Sequence, residues 1–184
     1  EITKWQDPTK NPEGKIIKII GKKGDNDAEM YSIVLGKGFD TDFPSEVERE
    51  AENIEKTEKP IPQTEISKRR DFRNTLTFTI DPADAKDFDD AISFKALPNG
   101  DAEIGVHIAD VSHYVREKTA LDREAVKRGF SVYLVDRTIP MLPEVLSNDL
   151  CSLVPHKDRL TMSAVFTIDR DAKVLNEWFG RTVI

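Results

Sequence analysis

The strongest constraint on the fold is the regular alternation of side chains in the segment Thr75-Leu-Thr-Phe-Thr-Ile80. In an extended chain, Leu76, Phe78 and Ile80 lie on one face and the threonines on the other. This period of two predicts a β-strand, and it begins where the sequence pattern of the chain changes.

Further strands are predicted downstream by the same reasoning. The segments 91–97 and 102–108 are separated by the turn Pro98-Asn99-Gly100, which predicts a β-hairpin. Residues 160–168 and 174–183 are also strand-like. In the first part of the chain, Lys15-Ile-Ile-Lys-Ile-Ile20 predicts one more strand, ended by a glycine.

Two helices are predicted from their capping residues. Ser45 and Glu48 have the spacing of a capping box, and an apolar stripe follows at helical spacing. A second helix is predicted over 119–128, with Thr119 as its N-cap and Gly129 in the position favoured after a helix. Together these patterns predict an α+β protein with mixed or antiparallel strands and a few helices.

The organisation predicted from these patterns has three parts: residues 1–60, a linker over 61–74, and residues 75–184. The linker contains Pro62 and the basic triplet Lys68-Arg69-Arg70. For the triplet, a solvated loop is favoured over a contact with phosphate.

Composition excludes several classes of protein. The net charge of −7 argues against a general nucleic-acid binder, which usually carries a basic patch. No apolar stretch approaches the roughly 20 residues that span a bilayer, so no membrane association is expected. The single cysteine, Cys151, cannot form an internal disulfide, which is typical of a cytoplasmic protein. The sequence indicates no obligate protein partner.

An acidic run joins two of the predicted strands. Its carboxylates belong to Asp81, Asp84, Asp87, Asp89 and Asp90. Their mutual repulsion would raise their pKa values unless a cation neutralised them, and Mg²⁺ prefers such oxygen ligands.

Two alternatives to a Mg²⁺ site exist for this run. An EF-hand calcium loop is excluded, because no register places oxygen ligands at its first, third and fifth positions and glycine at the sixth. A plain acidic turn between strands is compatible with the composition and remains open.

The flanking segments resemble the start of the catalytic domain of the ribonuclease II / ribonuclease R family, with ribonuclease R the closer likeness. The matching segments are Arg70-Asp-Phe-Arg73, Thr79-Ile-Asp81, Ala85-Lys-Asp-Phe-Asp-Asp-Ala91, His107-Ile-Ala-Asp-Val-Ser-His-Tyr-Val115, Tyr133, Thr138-Ile-Pro-Met-Leu-Pro143 and Leu146-Ser-Asn-Asp-Leu-Cys-Ser-Leu153. Upstream, Asn11-Pro-Glu-Gly-Lys15 and Gly24-Asp-Asn-Asp27 resemble the end of a cold-shock-type barrel.

The resemblance implies a fold and an activity. Residues 1–60 would be the last part of a cold-shock (OB-type) barrel with the helix that follows it. Residues 75–184 would be the N-terminal part of an incomplete ribonuclease II-type catalytic domain. The implied activity is that of a processive 3′-5′ exoribonuclease, which degrades single-stranded RNA to nucleoside 5′-monophosphates with two Mg²⁺ ions.

The resemblance also assigns residues. It implies that Asp81, Asp87, Asp89 and Asp90 hold the metal, with Asp89 the catalytic residue whose loss is most damaging. Asp84 matches no catalytic position, and Tyr133 matches the aromatic residue that stacks on the 3′-terminal base. His107 and Asp110 belong to a family motif and are expected to be structural.

The family's catalytic domain is longer than this chain. The resemblance therefore implies that a catalytic arginine lies beyond Ile184, and that these residues alone lack activity and expose part of their core. Two other functions remain open: a non-catalytic RNA-binding member of the family, and a Mg²⁺-dependent phosphoesterase.

Overall fold

The computed structural model describes residues 1–7, 9–83 and 85–184, and it divides at Asp42 into two units, Glu1–Asp42 and Phe43–Ile184. In the first unit, β1 (Ile2–Lys4) pairs antiparallel with β2 (Glu13–Gly14), and α1 (Asn26–Gly36) follows. The predicted boundaries at residues 60 and 74 stay a prediction.

The strand predicted over Lys15–Ile20 is wrong, because these residues have no regular secondary structure. Ile16, Ile17 and Ile19 are 82%, 70% and 85% exposed. A strand needs a neighbour to pair its backbone groups, and the strand pairs among the described residues include none over 16–20. The apolar composition of the segment does not show whether a neighbouring strand exists to pair with it.

The second unit contains the helices and strands that form the rest of the fold. In chain order they are α2 (Ser45–Glu58), α3 (Gln63–Ile66), β3 (Arg70–Asp71), β4 (Leu76–Phe78), β5 (Asp90–Ala96), β6 (Ala102–Ala109), α4 (Val111–Tyr114), α5 (Ala120–Arg128), β7 (Val132–Tyr133), β8 (Thr138–Ile139), a π-helical turn (Val145–Leu150), β9 (Leu160–Ile168) and β10 (Val174–Val183).

Both predicted helices are present, but only one has the predicted cap. In α5, the Thr119 hydroxyl accepts a hydrogen bond from the Asp122 amide at 3.3 Å, and Gly129 has a φ of 79°. In α2, Ser45 is already the first helical residue and the N-cap is Pro44, which makes no side-chain cap. The predicted capping box of α2 is therefore wrong by one position.

The predicted hairpin is confirmed and forms part of a six-stranded sheet of order β3-β10-β9-β6-β5-β4. Strands β5 and β6 pair antiparallel from Asp90 opposite Ile108 to Ala96 opposite Ala102. All other pairs in this sheet are antiparallel except β10 with β3. The predicted α+β class with mixed strands is confirmed. No helix among residues 1–7, 9–83 and 85–184 is long and apolar enough to cross a membrane.

The two faces of the sheet differ in burial. One face packs against a core that includes Leu121, Leu146 and Leu160, each at most 1% exposed. The other face exposes large apolar side chains of β4, β5, β6, β9 and β10. These are Leu76, Phe78, Phe94, Val106, Ile108, Met162 and Phe179.

A buried histidine organises the packed face. His107 on β6 is fully buried, and its two ring nitrogens lie 2.7 Å from the Ser163 hydroxyl and 2.8 Å from the Ser93 hydroxyl. Gly105 leaves room for this arrangement, since a Cβ there would lie 2.5 Å from the Ser93 oxygen and 2.6 Å from His107 Nε2. Burial, followed by the charge of Arg70, lowers the pKa of His107 to about 4. The position agrees with the structural role expected for His107.

A buried ion pair lies beside this face. Arg69 Nη2 lies 2.8 Å from Asp110 Oδ2, and neither side chain is exposed to solvent. Arg69 also donates to Glu65 at 2.9 Å and to the carbonyls of Thr161 and Thr182. The interpretation of the basic triplet as a solvated loop is therefore wrong for Arg69. The local sequence could not reveal this, because its partner is 41 positions away in the chain.

Breaking the ion pair tests its contribution to stability. Asp110→Asn keeps the shape of the side chain but leaves the Arg69 charge partly unpaired in the core, so we expect a loss of about 3 kcal/mol in the free energy of unfolding. Glu52→Gln removes an exposed pair with Lys56 and should cost less than about 1 kcal/mol. Urea unfolding measures both. Equal losses in the two variants would contradict a stabilising role for the buried pair.

The buried histidine predicts a dependence of stability on pH. The pKa of His107 is lowered from 6.5 to about 4 on folding, so the unfolded chain binds the proton first. Stability is therefore complete above pH 6.5 and falls as the pH drops towards 4. Between pH 7 and pH 5, the wild type should lose about 2 kcal/mol more than His107→Gln, whose side chain does not titrate. The free energy of unfolding is measured at each pH for both proteins. An equal change with pH in the wild type and in His107→Gln would show that His107 does not titrate as inferred.

A candidate active site in the loop before strand β5

The acidic run lies in the loop between β4 and β5, and its backbone is held at several points. The Phe88 amide donates to the Ser152 hydroxyl at 3.0 Å, and that hydroxyl donates to the Lys86 carbonyl at 2.6 Å. The Phe88 carbonyl accepts from the Leu153 amide at 2.9 Å. The Phe88 ring packs against the core. The residues on either side of Phe88 are therefore fixed at the protein surface.

The end of β6 provides a second attachment. The amide of Ala109 donates to the carbonyl of Asp89 at 2.9 Å. The next residue of the chain, Asp110, is the partner of Arg69 in the buried ion pair. The loop that carries the aspartates is thus joined directly to the end of β6 that carries the buried ion pair.

A cavity of about 620 Å³ brings together most of the predicted site residues. Asp81, Asp87 and Asp89 line it from the loop, and Tyr133 lines it from β7. Asp90 is the exposed first residue of β5 and does not line this cavity. Asp84, which matches no catalytic position of the family, lies outside the described residues.

Tyr133 and Asp87 are in direct contact. The Tyr133 hydroxyl donates to Asp87 Oδ2 at 2.6 Å. This hydrogen bond, with smaller effects of burial and of the charges on Asp87 and Asp89, raises the pKa of Tyr133 to about 12. The phenol is therefore protonated at neutral pH and serves as a hydrogen-bond donor to the carboxylate.

The aspartates form a concentration of negative charge. The pKa of Asp89 is raised by desolvation in the loop and by the charges of Asp87, Asp90 and Asp81. Among the ion pairs of the described residues, none joins a lysine or arginine to Asp81, Asp87, Asp89 or Asp90. Carboxylate oxygens with uncompensated charge are a donor set that suits a hard divalent cation.

The side chains are not arranged as a closed coordination sphere. Within the part of the chain that the structure describes, no three His, Cys, Asp or Glu side chains converge closely enough to hold a metal ion. The loop supplies the oxygen donors that Mg²⁺ prefers but does not gather three of them at one point, and the assignment of Asp81, Asp87, Asp89 and Asp90 as its ligands stays a prediction.

The cavity also contains polar residues that the sequence did not single out. Lys86 and Arg137 bring positive charge to its wall, and Asn148 adds an amide. Arg137 lies 2.8 Å from Asp136 in an ion pair. Lys86 and Asn148 lie inside segments that carry the family resemblance, and this is the signal in the sequence that could have identified them. The resemblance assigns no role to either residue, so it does not predict what their side chains do.

Comparison with protein families gives two matches. Residues 69–184 match the RNB domain, and residues 1–44 match the cold shock domain.

Similar proteins cover the whole chain. It is 49% identical to DIS3-like exonuclease 2 of Xenopus tropicalis, over 100% of this chain and 22% of that protein. It is 51% identical to ribonuclease R of Thermotoga maritima, over 95% of this chain and 24% of that protein. The chain therefore spans about a quarter or less of the length of these relatives.

Solved structures of Mycoplasma genitalium RNase R share the fold. The complex with double-stranded RNA matches with a TM-score of 0.85 and 30% identity, over 100% of this chain and 32% of that one. The complex with ribose-methylated single-stranded RNA gives a TM-score of 0.78 and 31% identity, over 90% and 25%.

Removing the hydroxyl of Ser152 tests how the loop is held. Ser152→Ala leaves the Phe88 amide and the Lys86 carbonyl without this partner, so we expect a loss of about 1–3 kcal/mol in stability. Amide exchange at Phe88 should accelerate as the loop opens. Ser67→Ala, which removes an exposed hydroxyl bonded to the Thr64 carbonyl, should change neither quantity. Unchanged exchange at Phe88 in Ser152→Ala would show that Ser152 does not anchor the loop.

Proposed function

This chain belongs to the RNB family, and from that membership we propose that its protein is a Mg²⁺-dependent exoribonuclease acting on single-stranded RNA. One observation carries the proposal: Asp81, Asp87 and Asp89 line one cavity with Tyr133, whose hydroxyl contacts Asp87. The proposed reaction is hydrolysis from the 3′ end, processive along the strand, with release of nucleoside 5′-monophosphates.

The relatives support RNA as the substrate. Two of them are named as an exonuclease and a ribonuclease, and the solved RNase R structures contain RNA. The match of residues 1–44 to the cold shock domain also supports RNA binding, because proteins of this class bind single strands through aromatic stacking platforms. The buried thiol of Cys151 suits the proposed cytoplasmic setting.

The chemistry of the proposed site divides among the residues present. Asp81, Asp87, Asp89 and Asp90 would hold Mg²⁺ through their carboxylate oxygens. Two such ions, when bound, lower the pKa of a water and stabilise charge on the attacking and leaving oxygens of an in-line displacement. Asp89 lies between Asp87 and Asp90 in the chain, and its charge is opposed by both, so a bound cation would relieve that repulsion.

Tyr133 provides the proposed contact with the RNA base. Its side chain is 65% exposed, so one face of the ring is available for stacking. Stacking of a base on an aromatic ring contributes roughly 1–3 kcal/mol and tolerates any base. A degradative enzyme requires that tolerance, because every nucleotide of the strand must occupy the same position in turn.

The proposed function is tested in the intact protein with 5′-labelled single-stranded RNA and Mg²⁺. The wild type should shorten the RNA progressively from its 3′ end. Asp89→Asn should bind the RNA with nearly normal affinity but turn it over roughly 10³-fold more slowly, since several kcal/mol of charge stabilisation are lost. Asp101→Asn, in the turn of the β5–β6 hairpin, is the matched control and should retain full activity.

Three results would overturn the proposal. Near-normal turnover by Asp89→Asn would contradict the assignment of Asp89 to the metal site. Release of phosphate from a nucleoside monophosphate without shortening of the RNA would favour the alternative phosphoesterase. RNA binding by the wild type without any Mg²⁺-dependent cleavage would instead indicate a non-catalytic member of the family.

A further inference from the structure

The hydroxyl of Tyr133 makes a contact that base stacking does not need. Stacking uses the face of the aromatic ring, and a phenylalanine ring would serve as well. The hydroxyl instead donates to Asp87 Oδ2 at 2.6 Å. That distance lies in the range of a charge-assisted O–H···O⁻ bond, which is about twice as strong as a neutral one.

The two backbones that this bond joins are each held separately. Tyr133 pairs with Thr138 in the short β7–β8 hairpin, whose Ile139 is buried. Asp87 precedes Phe88, which is bonded to Ser152. Because both backbones are fixed, the hydrogen bond restricts the rotation of the Asp87 carboxylate and does not hold the loop itself in place.

We propose that Tyr133 is a positioning residue for the metal ion: its hydroxyl fixes the Asp87 carboxylate in the orientation that binds the cation, while its ring remains available to the terminal base. This inference rests on the proposed function, because it requires Asp87 to be a metal ligand. It assigns two roles to the two ends of one side chain.

The size of the expected effect follows from the chemistry of carboxylate ligands. A carboxylate has two oxygens that rotate about one bond, and an unrestrained group loses this freedom when it binds a cation. A hydrogen bond from a neighbouring side chain removes that freedom beforehand. Loss of such an outer partner typically lowers metal affinity about 10- to 100-fold.

The test measures binding of Mn²⁺ to the intact protein without RNA, from the electron paramagnetic resonance signal of the free ion. Mn²⁺ suits the carboxylate sites that accept Mg²⁺. Tyr133→Phe removes only the hydroxyl and should weaken Mn²⁺ binding about 10-fold or more. Because Tyr133 is largely exposed, the melting temperature of Tyr133→Phe should equal that of the wild type.

The matched control is Tyr114→Phe. The Tyr114 hydroxyl is buried and has no hydrogen-bond partner among the described residues, and the side chain does not line the cavity of the site. Its removal should leave Mn²⁺ affinity at the wild-type value. The control therefore separates loss of the specific Tyr133–Asp87 contact from the general effect of deleting a phenolic oxygen.

A second measurement tests the stacking role of the Tyr133 ring separately from the role of its hydroxyl. Affinity for a single-stranded RNA oligonucleotide, measured in a chelator, should be equal in the wild type and in Tyr133→Phe. In Tyr133→Ala it should fall about 10-fold or more, since the stacking surface is lost. An equal loss in Tyr133→Phe would show that the hydroxyl acts on RNA and would contradict the division of roles.

Asp89→Asn distinguishes failure of the inference from failure of the proposed function. If Asp89→Asn abolishes Mn²⁺ binding but Tyr133→Phe binds the ion as Tyr114→Phe does, the inference is wrong and the metal site stands. If Asp89→Asn also binds Mn²⁺ normally, the aspartate loop is not the metal site and both fail.

Discussion

The buried ion pair between Arg69 and Asp110 is the interaction on which the site depends most. Arg69 reaches the carbonyls of β9 and β10 as well as Asp110, so it fixes the end of β6 against the two strands that follow it in the sheet. Asp110 also donates its own amide to the carbonyl of Leu160 at 2.9 Å. The preceding residue, Ala109, holds the carbonyl of Asp89. Displacement of the ion pair would therefore be transmitted within two residues to the centre of the proposed site.

The aspartate loop combines a repulsive set of side chains with a strongly held backbone. Like charges close together disfavour ionisation, and the pKa of Asp89 is raised first by desolvation and then by the charges of Asp87, Asp90 and Asp81. The loop retains its path because Phe88 packs against the core and its amide is bonded to Ser152. Carboxylates that would otherwise spread apart are thus kept in one loop, where the proposed metal site would use them.

The β5–β6 hairpin of the sheet was predictable because the residues that specify it lie close together in the sequence. The alternation of 91–97 and 102–108, with a turn between them, was sufficient to give the β5–β6 hairpin. The strand predicted over 15–20 failed because pairing requires a neighbour that the segment itself does not specify. The same limit applies to Arg69 and Ser152, whose importance arises from partners 41 and 64 positions away. The role proposed for Tyr133 came from the family resemblance, and only the structure placed its hydroxyl on Asp87.

A net charge of −7 is unfavourable for a protein that binds a polyanion, and the architecture indicates how the proposed function would overcome it. Four of the negative charges belong to the aspartates proposed to hold the metal, which are Asp81, Asp87, Asp89 and Asp90. Two divalent cations carry four positive charges, so the proposed metal site would be neutral when RNA arrives. Lys86 then adds a positive charge to the wall of the same cavity, whereas the charge of Arg137 is offset there by Asp136. The remaining binding energy would come from stacking on Tyr133, which does not depend on net charge. Recognition by local charge compensation and an aromatic surface requires no basic face, and so the acidic composition of the chain is compatible with RNA as its substrate.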